Sequence, residues 1–165
     1  VRAAAPAARI IADANEAWSP AYYHAVVPSL VDLGVELIEQ PFPAAEDAAL
    51  GDVERPIPVA ADESCHTSID VHTLADRYDV VNVKLDKTGG LTEALRVVAV
   101  ARDAGLGIMV GCMVGTSLGV APATLLGSAA RYVDLDAPLL LEQDRPEGLK
   151  FEGSVVYPPE PALWG

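Results

Sequence analysis

Positive charge is in short supply. Eleven Lys and Arg stand against 24 Asp and Glu, a formal net charge of −13, and a surface this acidic repels nucleic acid phosphates and anionic membranes alike. Neither is expected as a partner. Cysteine is equally scarce: Cys65 and Cys112 are the only two, too few for a disulfide framework. That points to reduced thiols and an intracellular, cytoplasmic setting. No apolar stretch reaches the roughly 20 residues of a membrane span, and the opening Val1-Arg-Ala-Ala-Ala-Pro6 lacks the apolar core of a signal peptide. There is no glycine-rich phosphate loop and no low-complexity tract. The chain does not begin with Met, which fits a segment lying upstream.

Apolar residues, by contrast, make up 51% of the 165 positions, ample for the core of one domain. Their arrangement is a repeat. Short apolar runs end at positions 13, 39, 62, 84, 111 and 134, at spacings of 22 to 27 residues. Helical patterns are expected between them over 20–33 (behind a Ser19 cap and before Gly34), briefly over 44–50, from 68 or 70 to about 77, over 91–104 and over 118–130. Strands alternating with helices at this spacing imply a parallel sheet with right-handed crossovers. A doubly wound sheet would gather its polar residues at one switch point. Here successive strands each deliver a functional group at the carboxyl end, as the mouth of a barrel requires. The expected fold is therefore α/β, an incomplete (β/α)8 TIM-type barrel over residues 1–138, with about six units present and two N-terminal ones absent. Residues 139–165 read as an extended tail, because Pro158, Pro159 and Pro161 exclude a central strand or helix. It would pack on the barrel or on an absent domain. The open edges of such a sheet invite pairing, so a homo-oligomer is among the expectations.

Asp13, Glu39 and Asp62 close three consecutive strands. Each could simply cap the helix that follows, but three carboxylates at one rim, with Lys84 ending the next strand, suit a hard divalent ion, Mg2+ above all. A metal beside a lysine suits removal of a proton from carbon next to a carboxylate. The ion steadies the developing enediolate and an amine of lowered pKa takes the proton. Burial and the cation would lower the pKa of Lys84. Lys87 is the rival base, but beside the Thr88-Gly89-Gly90 turn it is expected to face solvent. His24, His66, His72 and the cysteines form no nucleophile or zinc pattern.

Taken together, Asp13-Ala-Asn-Glu-Ala-Trp18, Glu39-Gln-Pro41, Asp62-Glu-Ser64, Asn82-Val-Lys84-Leu-Asp-Lys-Thr-Gly-Gly90 and Asp134-Leu-Asp136 resemble the enolase superfamily, in its muconate-lactonizing subgroup. The resemblance runs from about residue 9 to the end. It implies Asp13, Glu39 and Asp62 as Mg2+ ligands and Lys84 as one of two acid/base lysines. Asp134-Leu-Asp136 is similar to the Asp-x-Asp of dipeptide epimerases, where the pair holds the substrate's α-ammonium group; the other reading of the two is as turn or cap residues before Pro138. A dipeptide of the L-Ala-D/L-Glu type is the substrate this implies, epimerised by 1,1-proton transfer. N-acylamino acid racemases, o-succinylbenzoate synthases and cycloisomerases of the same subgroup are the alternatives, as is a truncated product without activity. Two departures stand out. Gly115 lies where relatives commonly carry a glutamate, and the family's Lys-x-Lys would fall before Val1, as would its capping domain.

Overall fold

The computed structural model describes residues 1–165. Six strands, β1 (Ile10–Asp13), β2 (Val35–Glu39), β3 (Val59–Ala61), β4 (Val80–Val83), β5 (Gly107–Val110) and β6 (Tyr132–Val133), pair in that order, each parallel to the next. Strictly sequential order has no switch point, which excludes the doubly wound alternative and leaves the barrel-type winding. The sheet curls. Tyr132 on the last strand brings its hydroxyl to 3.5 Å from the Glu36 carbonyl oxygen on the second, and the Arg9 guanidinium beside β1 lies 5.2 Å from the Tyr132 ring centroid.

The curl separates two apolar compartments. Leu37, Ala60, Val80, Met109 and Tyr132, one residue from each of five strands, form a small cluster on the concave face. Their chain neighbours Ile38, Val59, Ala61, Val81, Ile108 and Val110 belong to the larger core on the convex face, under the helices. Because side chains alternate faces with a period of two, the residue two positions beyond each concave residue points inward as well. Those positions are Glu39, Asp62, Asn82, Gly111 and Asp134.

The helices complete the units. Helix α1 (Pro20–Asp32) starts where the Ser19 hydroxyl accepts from the Tyr22 N–H and Pro20 sets the first turn. Helix α2 (Ser68–Leu74) opens on a Thr67/Asp70 capping box. A single turn α3 (Leu85–Thr88) follows Lys84 and stops at left-handed Gly89, φ +71°. Helix α4 (Leu91–Asp103) buries Ala94, Val97, Val98 and Ala101 on one face, and Glu93 Oε1 on it accepts from both the N–H and the hydroxyl of Ser68. No helix is long and apolar enough to cross a membrane.

Two expectations need correcting. The helix expected over 118–130 is α-helical only in α5 (Ser117–Val120) and continues as a 3-10 helix over Ala121–Ala129; at the junction Pro122 has no N–H to give to the Leu118 carbonyl, which removes one α-type bond there. The tail is not simply extended. It forms a hairpin of β7 (Phe151–Glu152) and β8 (Val155–Val156) around Gly153-Ser154, with Gly153 at φ +60°, and a last turn α6 (Pro161–Trp164) with proline in its first turn. A Gly-Ser pair between short apolar runs is a hairpin signal, and proline disfavours a helix interior but not its first position. Leu149 and Leu163 from this segment join the convex core. The segment is held by Asp144, whose carboxylate accepts from the N–H and hydroxyl of Ser117, while the Ser117 oxygen accepts from the Leu149 N–H at 2.8 Å.

Leu37 is fully buried on the concave face directly beneath Glu39. Leu37→Ala is expected to cost about 2–5 kcal/mol, read as a lowered urea midpoint with an unchanged slope.

Candidate active site

The inward positions at the carboxyl ends of the strands make one polar cluster. Asp13 pairs in register with Glu39. The loop after Asp13 turns sharply, with Asn15 and Glu16 both at positive φ (45° and 63°); Asp13 Oδ1 stabilises that turn by accepting from the Asn15 N–H at 2.8 Å. The loop is zipped to the one after β2 through Ala14 N–H to Glu39 O, Glu16 N–H to Gln40 O and Trp18 N–H to Pro41 O. These bonds fix the first two carboxylates relative to each other before any ligand arrives.

Glu39 and Asp62 are both buried. Burial pushes the Glu39 carboxyl up to about 7; the hydrogen bond from Asn82 Nδ2 pulls against it, Asp13 and Asp62 push the same way as burial, and Lys84 opposes them. Asp62 is gripped from two sides. Lys84 Nζ donates to Oδ2 at 2.5 Å, and Lys87 Nζ donates to Oδ1, also at 2.5 Å, with further bonds to the carbonyl oxygens of Asp62 and Asn82. Burial lowers the pKa of Lys84, but the hydrogen bond and charge of Asp62, with Glu39 and Glu63, outweigh it and leave the amine raised. The expected lowering counts on a cation beside the amine; here the nearest charges are carboxylates, and they hold the amine up.

Lys87 is the second correction at the site. Its side chain is only 12% exposed, so it does not face solvent. Helix α3 explains this. Residues three apart share a helix face, so the turn from Lys84 brings Lys87 back over the same carboxylate. Asp134 and Asp136 lie on the opposite rim, after β6. Partial loss of water and then the charge of Asp136 raise the Asp134 carboxyl, Lys84 lowers it, and Asp13 adds a smaller push upward. Asp134 therefore feels both the lysine and the first carboxylate across the mouth.

The donors suit a hard cation. Asp13, Glu39 and Asp62 offer only oxygen donors, and Glu39 is an acid that burial first, and its two neighbouring acids after it, hold toward protonation. Nearby, Glu63 Oε2 is buried without a hydrogen-bond partner. In this conformation the acids do not close into a cage, since both Asp62 oxygens are taken by ammonium groups and no three of the acids converge on a common point.

Residues 1–162 match the family model described as enolase C-terminal domain-like. The chain belongs to that family. Among curated relatives of this enolase-type domain, an N-acetyl-D-glutamate racemase from Pseudoalteromonas sp. is 51% identical over 98% of the chain, and L-Ala-D/L-Glu epimerase of Escherichia coli (strain K12) is 46% identical over 92%. A solved enolase family member from Agrobacterium tumefaciens with homology to dipeptide epimerases, holding sodium and L-Ala-L-Glu, is 55% identical over 100% of the chain with a TM-score of 0.97. The chain spans about half of each relative: 51%, 47% and 51% of their lengths. The family carries the barrel architecture seen in the sheet order.

Several residues of the domain escaped the reading of strand ends alone. Asn82 is buried and donates to Glu39 Oε1, and its own Oδ1 has no hydrogen-bond partner; its position two before Lys84 on an alternating strand was the available signal. Gly111 is an inward position with no side chain. A Cβ there would sit 2.7 Å from Asn82 Oδ1, 2.9 Å from its Nδ2 and 3.0 Å from Lys84 Cε. Glycine makes room for both side chains to lie across β5.

Gly111→Ala is expected to push Asn82 off Glu39 or Lys84 off Asp62, at about 1–3 kcal/mol of stability, typical of overpacking. A thermal melt reads the loss; a parent-like melting temperature would mean that the two side chains move aside freely.

Proposed function

We propose that this enolase-type domain carries the chemistry of a Mg2+-dependent dipeptide epimerase acting on substrates of the L-Ala-D/L-Glu type. The observation that carries the reading is the position of Lys84: just beyond the end of β4, donating to Asp62 and near enough to Asp134 for its charge to pull that carboxyl down. Asp13, Glu39 and Asp62 would hold the metal, with Asp62 exchanging its lysine contacts for it. When bound, Mg2+ supplies positive charge against which a substrate carboxylate can take up the electron pair left by its α-proton. Lys84 Nζ, as the neutral amine, accepts that proton on one face of the α-carbon and can return it. Inversion needs a second acid/base on the other face, a role the family resemblance gives to a Lys-x-Lys preceding Val1. Asp134 and Asp136 bind the α-ammonium group, two carboxylates drawing one cation to the rim and fixing which end of the dipeptide enters. The solved relative that holds L-Ala-L-Glu supports this substrate class.

The 51% identical N-acetyl-D-glutamate racemase favours a second reading, racemisation of an N-acylated amino acid. An acylated nitrogen carries no charge, so the two readings differ in what they ask of Asp134.

Three outcomes are expected of the gene product in full, assayed with Mg2+ in 2H2O by proton NMR. The α-proton of the Glu residue of L-Ala-L-Glu exchanges with solvent, and a chelator in excess of the metal stops it. Lys84→Ala loses exchange on one face by at least about 100-fold; parent-level exchange in that variant would remove Lys84 from the mechanism. Asp134→Asn lowers kcat/KM for the dipeptide by about 10-fold or more, the scale of a charge-assisted hydrogen bond. Turnover of N-acetyl-D-glutamate exceeding that of the dipeptide, and indifferent to Asp134→Asn, would select the second reading.

A further inference from the structure

Gln40 follows the second proposed metal ligand directly, and neither proton transfer nor substrate binding uses it. It is fully buried, and its backbone is held at φ +31°, a region that residues with a Cβ seldom occupy. Its amide reaches three separate stretches of chain, after β2, after β3 and before β4. Oε1 accepts from the N–H of Asp62 at 2.8 Å and from that of Ser64 at 3.2 Å. Nε2 lies 2.9 Å from each of the Phe42 carbonyl oxygen, the Ser64 hydroxyl and the Tyr78 hydroxyl. Both hydroxyls give their protons to Asp47 Oδ2, at 2.6 and 3.0 Å, so their lone pairs are free to receive the amide. Asp47 is itself buried, with Arg77 Nε 3.5 Å from its other oxygen.

We propose that Gln40 is a positioning residue that pins the backbone of Asp62 to the end of β2, and so sets the separation of the Glu39 and Asp62 carboxylates that a divalent cation must bridge. The inference rests on the reading that these two carboxylates are metal ligands. β3 ends at Ala61, so the Asp62 N–H is among the first without a place in the sheet ladder, and Gln40 Oε1 takes it instead. Asp62 is thereby fixed through its main chain, independently of what its side chain binds. The unusual φ aims the Gln40 side chain sideways along the rim, where a residue in ordinary strand geometry would point to one face. Outer groups that orient metal ligands commonly alter metal affinity by 10–100-fold when removed; this one would act through the backbone.

The test is the Mg2+ concentration at the midpoint of thermal stabilisation, measured on the gene product in full. Gln40→Met, similar in length but without an acceptor, should raise that midpoint at least about 10-fold. Gln40→Glu keeps an oxygen against the Asp62 N–H and should bind Mg2+ within about three-fold of the parent or more tightly, well short of the loss seen when an orienting group is removed. Tyr78→Phe leaves Nε2 two acceptors for its two protons and should melt at a lower temperature with an unchanged Mg2+ midpoint. A parent-like Mg2+ midpoint in a folded Gln40→Met variant overturns the proposal and leaves Gln40 a packing residue. If that variant does not fold, the Glu variant decides: a loss of about 10-fold or more there, with native circular dichroism, overturns the proposal. A parent that shows no Mg2+-dependent shift would sink the metal reading itself, a failure distinct from the other two.

Discussion

The carboxylate of Asp62 is held by two ammonium groups in a place nearly closed to water, and the polar mouth of the domain depends on that triangle. Four acids, Asp13, Glu39, Asp62 and Glu63, crowd a small volume at the strand ends. Loss of water drives the Glu39 carboxyl up to about 7, and the charges of Asp13 and Asp62 add to it. Lys84 and Lys87 supply the only strong counter-charge in contact with the group. A buried ion pair costs desolvation and is kept when geometry and further hydrogen bonds compensate. Here Lys87 finds two carbonyl oxygens in addition to the carboxylate, so its ammonium is fully satisfied.

How much of this could be read in advance differs by level. The winding was legible because it rests on two periodicities, the 22-to-27-residue spacing of units and the alternation within each strand, and both survive in the sheet order and in the concave cluster. The split between Leu37 and Ile38, one inside and one beneath the helices, follows from alternation alone. The end of the fifth helical segment was not legible at the same level. Its apolar pattern is helical throughout, and the pattern does not distinguish an α-helix from the tighter winding that sets in beside Pro122. The hairpin near the C-terminus was hidden by the prolines around it, although Gly153-Ser154 carried its own signal.

At the site, strand-end residues were visible because each is polar at the close of an apolar run. Their partners were not. Lys87 looked solvated because three residues past a strand end says nothing until the intervening turn is known to be helical. Gln40 was visible only as the residue after a strand-end carboxylate, since the bonds that give it meaning run to Ser64 and Tyr78, far along the chain. Gly111 was read only as the end of an apolar run, since its contribution is the space it leaves.

The bond set around Ser117 has a mechanical consequence. Ser117 opens the helix that ends the loop after β5, and that loop, with exposed Met113 and Val114, forms one wall of the mouth. The same residue is tied to Asp144 and Leu149 in the C-terminal segment, and Gly148 sits so close that a Cβ would fall 2.6 Å from Asp144 Oδ2. The wall and the tail thus meet at one residue, whose main-chain N–H and hydroxyl both carry the tie, so the loop after β5 and the C-terminal segment are braced as a single piece.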